Sequence, residues 1–219
     1  MNIAIDGPAG SGKSTIAKIL SGKLGFIYVD TGAMYRAIAL YCIRKGIQAE
    51  EENKIEGILP EIQVSIVYEN GSQIVYLNGE DVSGEIRTPQ VSAMTSPVAA
   101  YAAVRDKLLD LQRKLAEEND VVMDGRDIGT HVLPNAELKI YLTASVKTRA
   151  LRRFKELEEK GDNTPLEEIE QSIRERDERD MNREIAPLKQ AEDAYYLDSS
   201  DLTIEEVVSE MEKLVAEKR

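Results

Sequence analysis

Cysteine is nearly absent: Cys42 is the only one in 219 residues, so no disulfide framework can form within the chain. Its setting, the apolar helical run Ala37-Ile38-Ala39-Leu40-Tyr41-Cys42-Ile43, marks a buried structural thiol rather than a nucleophile. Histidine is as scarce, with His131 alone, and no conspicuous His or Ser nucleophile is in view. No apolar run approaches the roughly 18 residues of a membrane-spanning helix, and the chain does not open on a charged stretch followed by a long apolar one. The expectation is a cytoplasmic protein without a membrane partner. A basic excess is missing too: the net charge is −12, which argues against a nucleic-acid scaffold. Aromatic and basic residues are not interleaved in patches, so no nucleic-acid partner is expected. A guanine-reading N-K-x-D is also lacking. The nearest string, Asn53-Lys54-Ile55-Glu56, lies in a charged helical stretch, and no D-x-x-G follows a suitable strand, which disfavours a regulatory GTPase.

What remains is ordinary for a globular protein, 42% apolar and 31% charged, with length enough for one sizeable core and a small inserted module. Within it stands Gly7-Pro8-Ala9-Gly10-Ser11-Gly12-Lys13-Ser14, a match to G-x-x-x-x-G-K-[ST]. The preceding Asn2-Ile3-Ala4-Ile5-Asp6 reads as a short buried strand. The following Ser14 to Leu24 reads as an amphipathic helix with Ile16, Ile19, Leu20 and Leu24 on one side. Strand, glycine loop and helix together make a phosphate cradle: backbone N–H groups point inward and the helix start adds its positive end. Lys13 can reach the β- and γ-phosphates of a nucleotide, and the Ser14 hydroxyl can ligate Mg²⁺.

Further short apolar runs, Phe26–Asp30, Asp120–Asp124, Leu138–Leu142 and Ala194–Asp198, alternate with helical patterns at 32–45, 89–118, 146–160, 165–183 and 203–217. Such alternation predicts an α/β fold with a five-stranded parallel sheet covered on both faces. Residues 57–88 break it. Ile62–Ile66 alternates with period two, and Asn70-Gly71 and Asn78-Gly79 flank Gln73–Leu77, which predicts a small antiparallel β insertion.

Three more segments carry chemistry. Asp30-Thr31-Gly32-Ala33-Met34-Tyr35-Arg36 opens a helix after the second strand, where Tyr35 and Arg36 can reach a phosphate at the helix start. Asp124-Gly125-Arg126-Asp127-Ile128-Gly129-Thr130 lies at the carboxyl end of a strand, where parallel sheets bind ligands. In Arg174–Arg183, the residues Arg176, Asp180 and Arg183 fall at i, i+4 and i+7 on one helical face, with Arg179 beside them. Arg149, Arg152 and Arg153 cluster likewise on the helix before. Seven of the 14 arginines lie between Arg149 and Arg183, in a chain that is acidic as a whole.

On IDGPAGSGKST, DTGAMYR, TSPVAAYAAVR, DGRDIGT and RERDERDMNREIAPL, the chain resembles, over essentially its whole length, the bacterial cytidylate (CMP/dCMP) kinases. These are a branch of the P-loop nucleoside monophosphate kinases. The resemblance implies transfer of the γ-phosphoryl group of ATP to CMP or dCMP with Mg²⁺, in a monomer whose partners are those small molecules. It assigns Gly7, Pro8, Ala9, Gly10, Ser11, Gly12, Lys13, Ser14 and Thr15 to the donor phosphates, with Ser14 at the metal. Thr31, Tyr35, Arg36, Arg126 and Arg183 fall to the acceptor's phosphate side. Ser96, Arg105 and Asp127 would read cytosine, and Arg176 and Asp180 would hold the ribose. Arg149 and Arg153 would belong to a lid over about 149–183, while 57–88 would be a monophosphate-binding module on a core of 1–56 and 89–219. Lys13, Arg126, Arg149, Arg153 and Arg183 would carry the charge stabilisation of catalysis. Rivals with the same loop act on UMP, AMP or a small metabolite. Against UMP, a carboxylate at Asp127 accepts from the cytosine amino group and repels the oxygen that uracil places there.

Overall fold

A computed structural model describes residues 1–69, 71–159 and 161–218 of the chain. The strands β1 (Asn2–Asp6), β2 (Ile27–Asp30), β6 (Val121–Gly125), β7 (Leu138–Thr143) and β8 (Tyr195–Asp198) form one sheet in the order β2-β6-β1-β7-β8, every pair parallel. Parallel strands need crossovers, and helices supply them on both faces. These are α1 (Lys13–Leu24), α2 (Thr31–Arg44), α3 (Glu52–Ile58), α4 (Pro89–Val98), α5 (Ala102–Glu118), α6 (Val146–Glu158), α7 (Leu166–Asn182) and α8 (Ile204–Lys218).

The period-two pleat divides the apolar residues between two cores. Ile3, Ile5 and Val122 turn to the face covered by α1 and α8, where they meet Leu20, Val208 and Met211. Ala4, Val121 and Met123 turn to the other face, against Met34, Ile38 and Val104 of α2 and α5. A third, smaller cluster of Ala150, Ile169 and Ile173, with Phe154 and Leu157 packed on it, joins α6 to α7.

The period-two stretch after residue 60 forms a separate antiparallel sheet, β3 (Val64–Glu69), β4 (Ser72–Leu77) and β5 (Glu80–Asp81). Its Val75 and Leu77 join the core cluster of α2. Asn78 (φ 52°) and Gly79 (φ 84°) make the β4–β5 turn with two left-handed residues in succession, as Asn-Gly hairpins do. The Asn70-Gly71 turn involves residue 70, which lies outside the described residues.

Two expectations need correction. The helix predicted over 89–118 is broken: α4 ends at Val98, and Tyr101 is extended (φ −74°, ψ 134°) before α5. Pro97 removes one N–H from the last turn of α4, yet the ladder runs on to the Ala99 N–H, which donates to the Thr95 carbonyl at 2.9 Å, and the break falls at the extended Tyr101, from which α5 restarts. The helix predicted over 165–183 stops at Asn182, leaving Arg183 extended (φ −63°, ψ 143°) rather than on the face of Arg176 and Asp180. The end placed at 160 for the preceding helix falls outside the described residues. The start of α8 is capped reciprocally: the Glu206 N–H donates to Thr203 Oγ1 at 3.2 Å, and the Thr203 N–H donates to Glu206 Oε2 at 2.8 Å.

Candidate active site

The carboxyl ends of β1, β2 and β6 open into a cleft of about 600 Å³. Its floor is the loop between β1 and α1. Gly7 lies at φ 150°, and a Cβ there would meet the Leu142 carbonyl oxygen at 1.9 Å, so only glycine lets β7 pass this close. Gly12 (φ 91°) is the left-handed N-cap of α1 and has no side-chain cap. The first-turn N–H groups are thereby left to face the loop's interior.

Lys13 is buried, and its Nζ donates to the Pro8 carbonyl at 2.7 Å and to Ser11 Oγ at 3.3 Å. Burial, with the Arg126 guanidinium nearby, holds this amine well below its ordinary value, while Asp124 and Asp6 pull the other way. A cation kept so poorly compensated favours an anion beside it. Ser14 Oγ donates to Asp124 Oδ2 at 2.9 Å, and Tyr28 Oη donates to Oδ1 of the same carboxylate at 2.9 Å. Burial and the nearby Asp30 push the Asp124 carboxyl up to about 6. Asp6, on β1, accepts from the N–H groups of Ile128 and Gly129, both at 2.7 Å, and so fixes the turn carrying Arg126 and Asp127.

Opposite the loop stands a lattice of arginines and carboxylates. Arg105, carried by α5, donates to Asp127 Oδ2, and Arg183 Nη2 donates to Oδ1 at 3.3 Å. Arg126 Nε donates to Asp180 Oδ2 at 3.0 Å, while Ser96 Oγ donates to Asp180 Oδ1 at 3.1 Å. The residues expected at base, ribose and phosphate thus form two bonded clusters, one on Asp127 and one on Asp180, which meet where Arg126 and Asp127 are neighbours in the chain. Burial raises the Asp180 carboxyl, but Arg126, Arg176 and Arg183 more than offset it and leave it below the usual range. Burial and the adjacent Arg126 lower Arg176 to about 10. Nη1 of Arg36, Nε of Arg105 and Nε of Arg176 are buried with no hydrogen-bond partner among the described residues. Such orphaned donors are costly unless a ligand takes them up.

Ala9 to Thr15, Thr31, Tyr35, Arg36, Ser96, Arg105, Arg126, Asp127, Arg149, Arg153, Arg176, Asp180 and Arg183 all line this cleft. Gly7 and Pro8 do not, though the Pro8 carbonyl receives Lys13. Arg153 is half exposed and pairs with Glu156 at 3.0 Å. Arg149 is buried, and each of its three guanidinium nitrogens has a partner: the Ala144 carbonyl (2.8 Å), the Ala9 carbonyl (3.0 Å) and Asp177 (2.6 Å). His131 lies off the cleft, where its carbonyl accepts from Arg113 at 3.1 Å, and Cys42 is wholly buried.

Several lining residues were given no role from the sequence, Arg152 among them although it was placed in the arginine cluster of its helix. Arg152 spans from the loop to β8, its Nη2 donating to the Ser199 carbonyl at 2.7 Å. Leu202, Ile204 and Val207 make an apolar wall beside Ser199. Asp30 and Asp124 stood inside quoted motifs without a role. Nothing in sequence spacing signals that Ser199 comes to Ser11, 188 residues away. Nine cations line the cleft against five carboxylates, a local excess of four in a chain of net charge −12. A polyanion is the ligand such a surface attracts.

This loop at the head of a five-stranded parallel sheet, facing a cationic cleft, defines a P-loop kinase. Shikimate kinase from Acinetobacter baumannii has the same fold, with a TM-score of 0.50 at 17% identity, covering 100% of this chain and 94% of that one. The chain belongs to the cytidylate kinase family, whose family model matches residues 3–217. The cytidylate kinase of Caldicellulosiruptor bescii is 50% identical over 214 residues, 98% of this chain and 95% of the relative. That of Bacillus licheniformis is 51% identical over 217 residues, 99% of this chain and 96% of the relative.

Proposed function

We propose that the chain transfers the γ-phosphoryl group of ATP to CMP or dCMP, giving ADP and CDP or dCDP. The observation that carries this is the continuity of the cleft: the phosphate loop and the Ser96–Arg105–Asp127 cluster line one cavity, with the arginines between them. Two nucleotides can therefore meet end to end inside it.

The acceptor phosphate is anionic at neutral pH and attacks without a general base. The bond from the γ-phosphorus to the β–γ bridging oxygen breaks as the bond to the acceptor oxygen forms. Lys13 faces the donor phosphates, while Arg36, Arg126 and Arg183 neutralise the acceptor phosphate, with Thr31 and Tyr35 beside them. Arg176 and Asp180 hold the ribose, and Arg153 closes from the α6–α7 lid. The cytosine amino group donates to Asp127, and Arg105 and Ser96 complete the recognition of the base. Positioning and charge neutralisation supply the rate.

Ser14 Oγ and Asp124 Oδ2, 2.9 Å apart, offer the hard oxygen donors that Mg²⁺ takes together with phosphates and water, so the residues fit that ion. When bound it neutralises charge on the donor phosphates. The 57–88 segment acts as the monophosphate-binding module of a single kinase domain, and the protein works as a cytoplasmic monomer. ADP formation from ATP and Mg²⁺ across a panel of nucleoside monophosphates tests the assignment. CMP and dCMP should turn over well ahead of UMP and AMP, and equal turnover of CMP and UMP would refute it.

A further inference from the structure

β2 is an edge strand of the five-stranded sheet. At its end a side chain takes the place of a neighbouring strand. The Gln73 carboxamide of β4 accepts from the Asp30 N–H through Oε1 at 2.9 Å and donates to the Asp30 carbonyl through Nε2 at 3.2 Å. One amide thus satisfies both main-chain groups of an edge residue, and it comes from the β insertion.

The carboxylate of Asp30 is committed elsewhere. Oδ1 accepts from the Ala33 N–H at 2.9 Å and caps α2, the helix that carries Tyr35 and Arg36. Oδ2 lies 3.4 Å from Arg87 Nη2 and 3.7 Å from Arg36 Nη1. The latter is attraction without a hydrogen bond, and Nη1 is buried and orphaned among the described residues. Arg36 is therefore held beside Asp30 yet keeps a donor in reserve. A shift of Asp30 by well under an ångström decides whether Arg36 stays in reserve or closes onto the carboxylate.

The flank of Asp30 is not packed solid. A cavity of about 450 Å³ separates the insertion from the β2 edge, lined by Lys18, Tyr28, Tyr68, Gln73 and Arg87 among others. With space on that side, the Asp30 main chain leans on the Gln73 amide.

We propose that Gln73 is a positioning residue for the acceptor-phosphate site: by pinning Asp30 it keeps Arg36 aimed at the acceptor's phosphate instead of closing onto the Asp30 carboxylate. This rests on Arg36 as a ligand of that phosphate. It couples the seating of the insertion to acceptor binding through a single side chain.

Gln73→Leu removes both bonds and keeps the bulk. It should raise KM for CMP about fivefold, the worth of one ordinary hydrogen bond. KM for ATP and the affinity for cytidine, which lacks the phosphate, should stay unchanged. Gln73→Glu, which sets a carboxylate against the Asp30 carbonyl, should weaken CMP at least as much. Arg36→Met is measured in parallel, and adding Gln73→Leu to it should cost nothing more. An unchanged KM for CMP in both Gln73 variants, or equal losses for CMP and cytidine, overturns the proposal. If Arg36→Met itself leaves CMP untouched, the phosphate assignment of Arg36 has failed. If Arg36→Met weakens CMP and Gln73→Leu does not, the Gln73 link alone has failed.

Discussion

Nη2 of Arg149 donates to Oδ2 of Asp177 at 2.6 Å, and this buried pair joins α6 to α7. The same guanidinium reaches the Ala9 carbonyl of the phosphate loop. The arginine that ties the two helices together is therefore also the one that seats them on the loop. Arg149→Met strands the Asp177 carboxylate in a dry site, and breaking one partner of a buried pair costs about 3–5 kcal/mol. Urea denaturation should show that loss, together with a raised KM for ATP. Wild-type stability with abolished turnover would reduce Arg149 to a charge-stabilising role alone.

Lys13 is held by two partners of its own loop, the Pro8 carbonyl and Ser11 Oγ. Both are neutral acceptors, so a phosphate competes with them at little electrostatic cost. Lys13→Ala should lower kcat about 10²- to 10³-fold, as loss of one preorganised donor to developing charge does. Circular dichroism should remain that of the unmutated protein. Turnover within a few fold of normal would overturn the donor-loop assignment.

How far such roles are legible in the sequence depends on how local their causes are. The phosphate loop was readable because strand, glycines and helix are consecutive. Asn78-Gly79 was readable because its turn needs only its own two residues. The 89–118 helix was over-extended because its apolar spacing runs on without a mark at Tyr101, the extended residue where the helix breaks. The bonds of Arg149 to Ala9 and Asp177, and the Gln73–Asp30 contact, join segments that nothing in the spacing connects. Arg183 was placed by its spacing on the helical face of Arg176 and Asp180, but the helix stops one residue short of it, and from its extended backbone Nη2 donates to Asp127 instead.

Asp127 is the meeting point of Arg105 and Arg183, one on each oxygen. A cytosine amino group would share that carboxylate with two cations that already orient it. Asp127→Asn keeps the shape and removes the charge. The ratio of kcat/KM for CMP over UMP should fall about 10- to 100-fold, the worth of a charge-assisted hydrogen bond, while KM for ATP stays the same. An unchanged ratio would move base recognition away from this residue.

Asp6 links the strand that feeds the phosphate loop to the turn that carries Arg126 and Asp127. Burial, reinforced by the charge of Asp127, pushes its carboxyl from 3.8 to about 7, against the opposing pull of the Gly129 and Ile128 N–H groups and of Lys13. The folded protein therefore holds a proton at Asp6 that the unfolded chain releases near pH 4. Stability from this group is fully present below that value and is lost as pH rises through about 7. Each tenfold difference in proton affinity between the folded and unfolded chain is worth about 1.4 kcal/mol, so the loss is on the order of 4 kcal/mol. Asp6→Asn stays uncharged throughout. The stability difference between the unmutated protein and Asp6→Asn, measured by urea denaturation at intervals from pH 4 to pH 8, should therefore move steadily against the unmutated protein as pH rises. A flat difference would mean that the two N–H donors hold the Asp6 carboxylate ionised in the fold, and that the turn is anchored by a permanent charge.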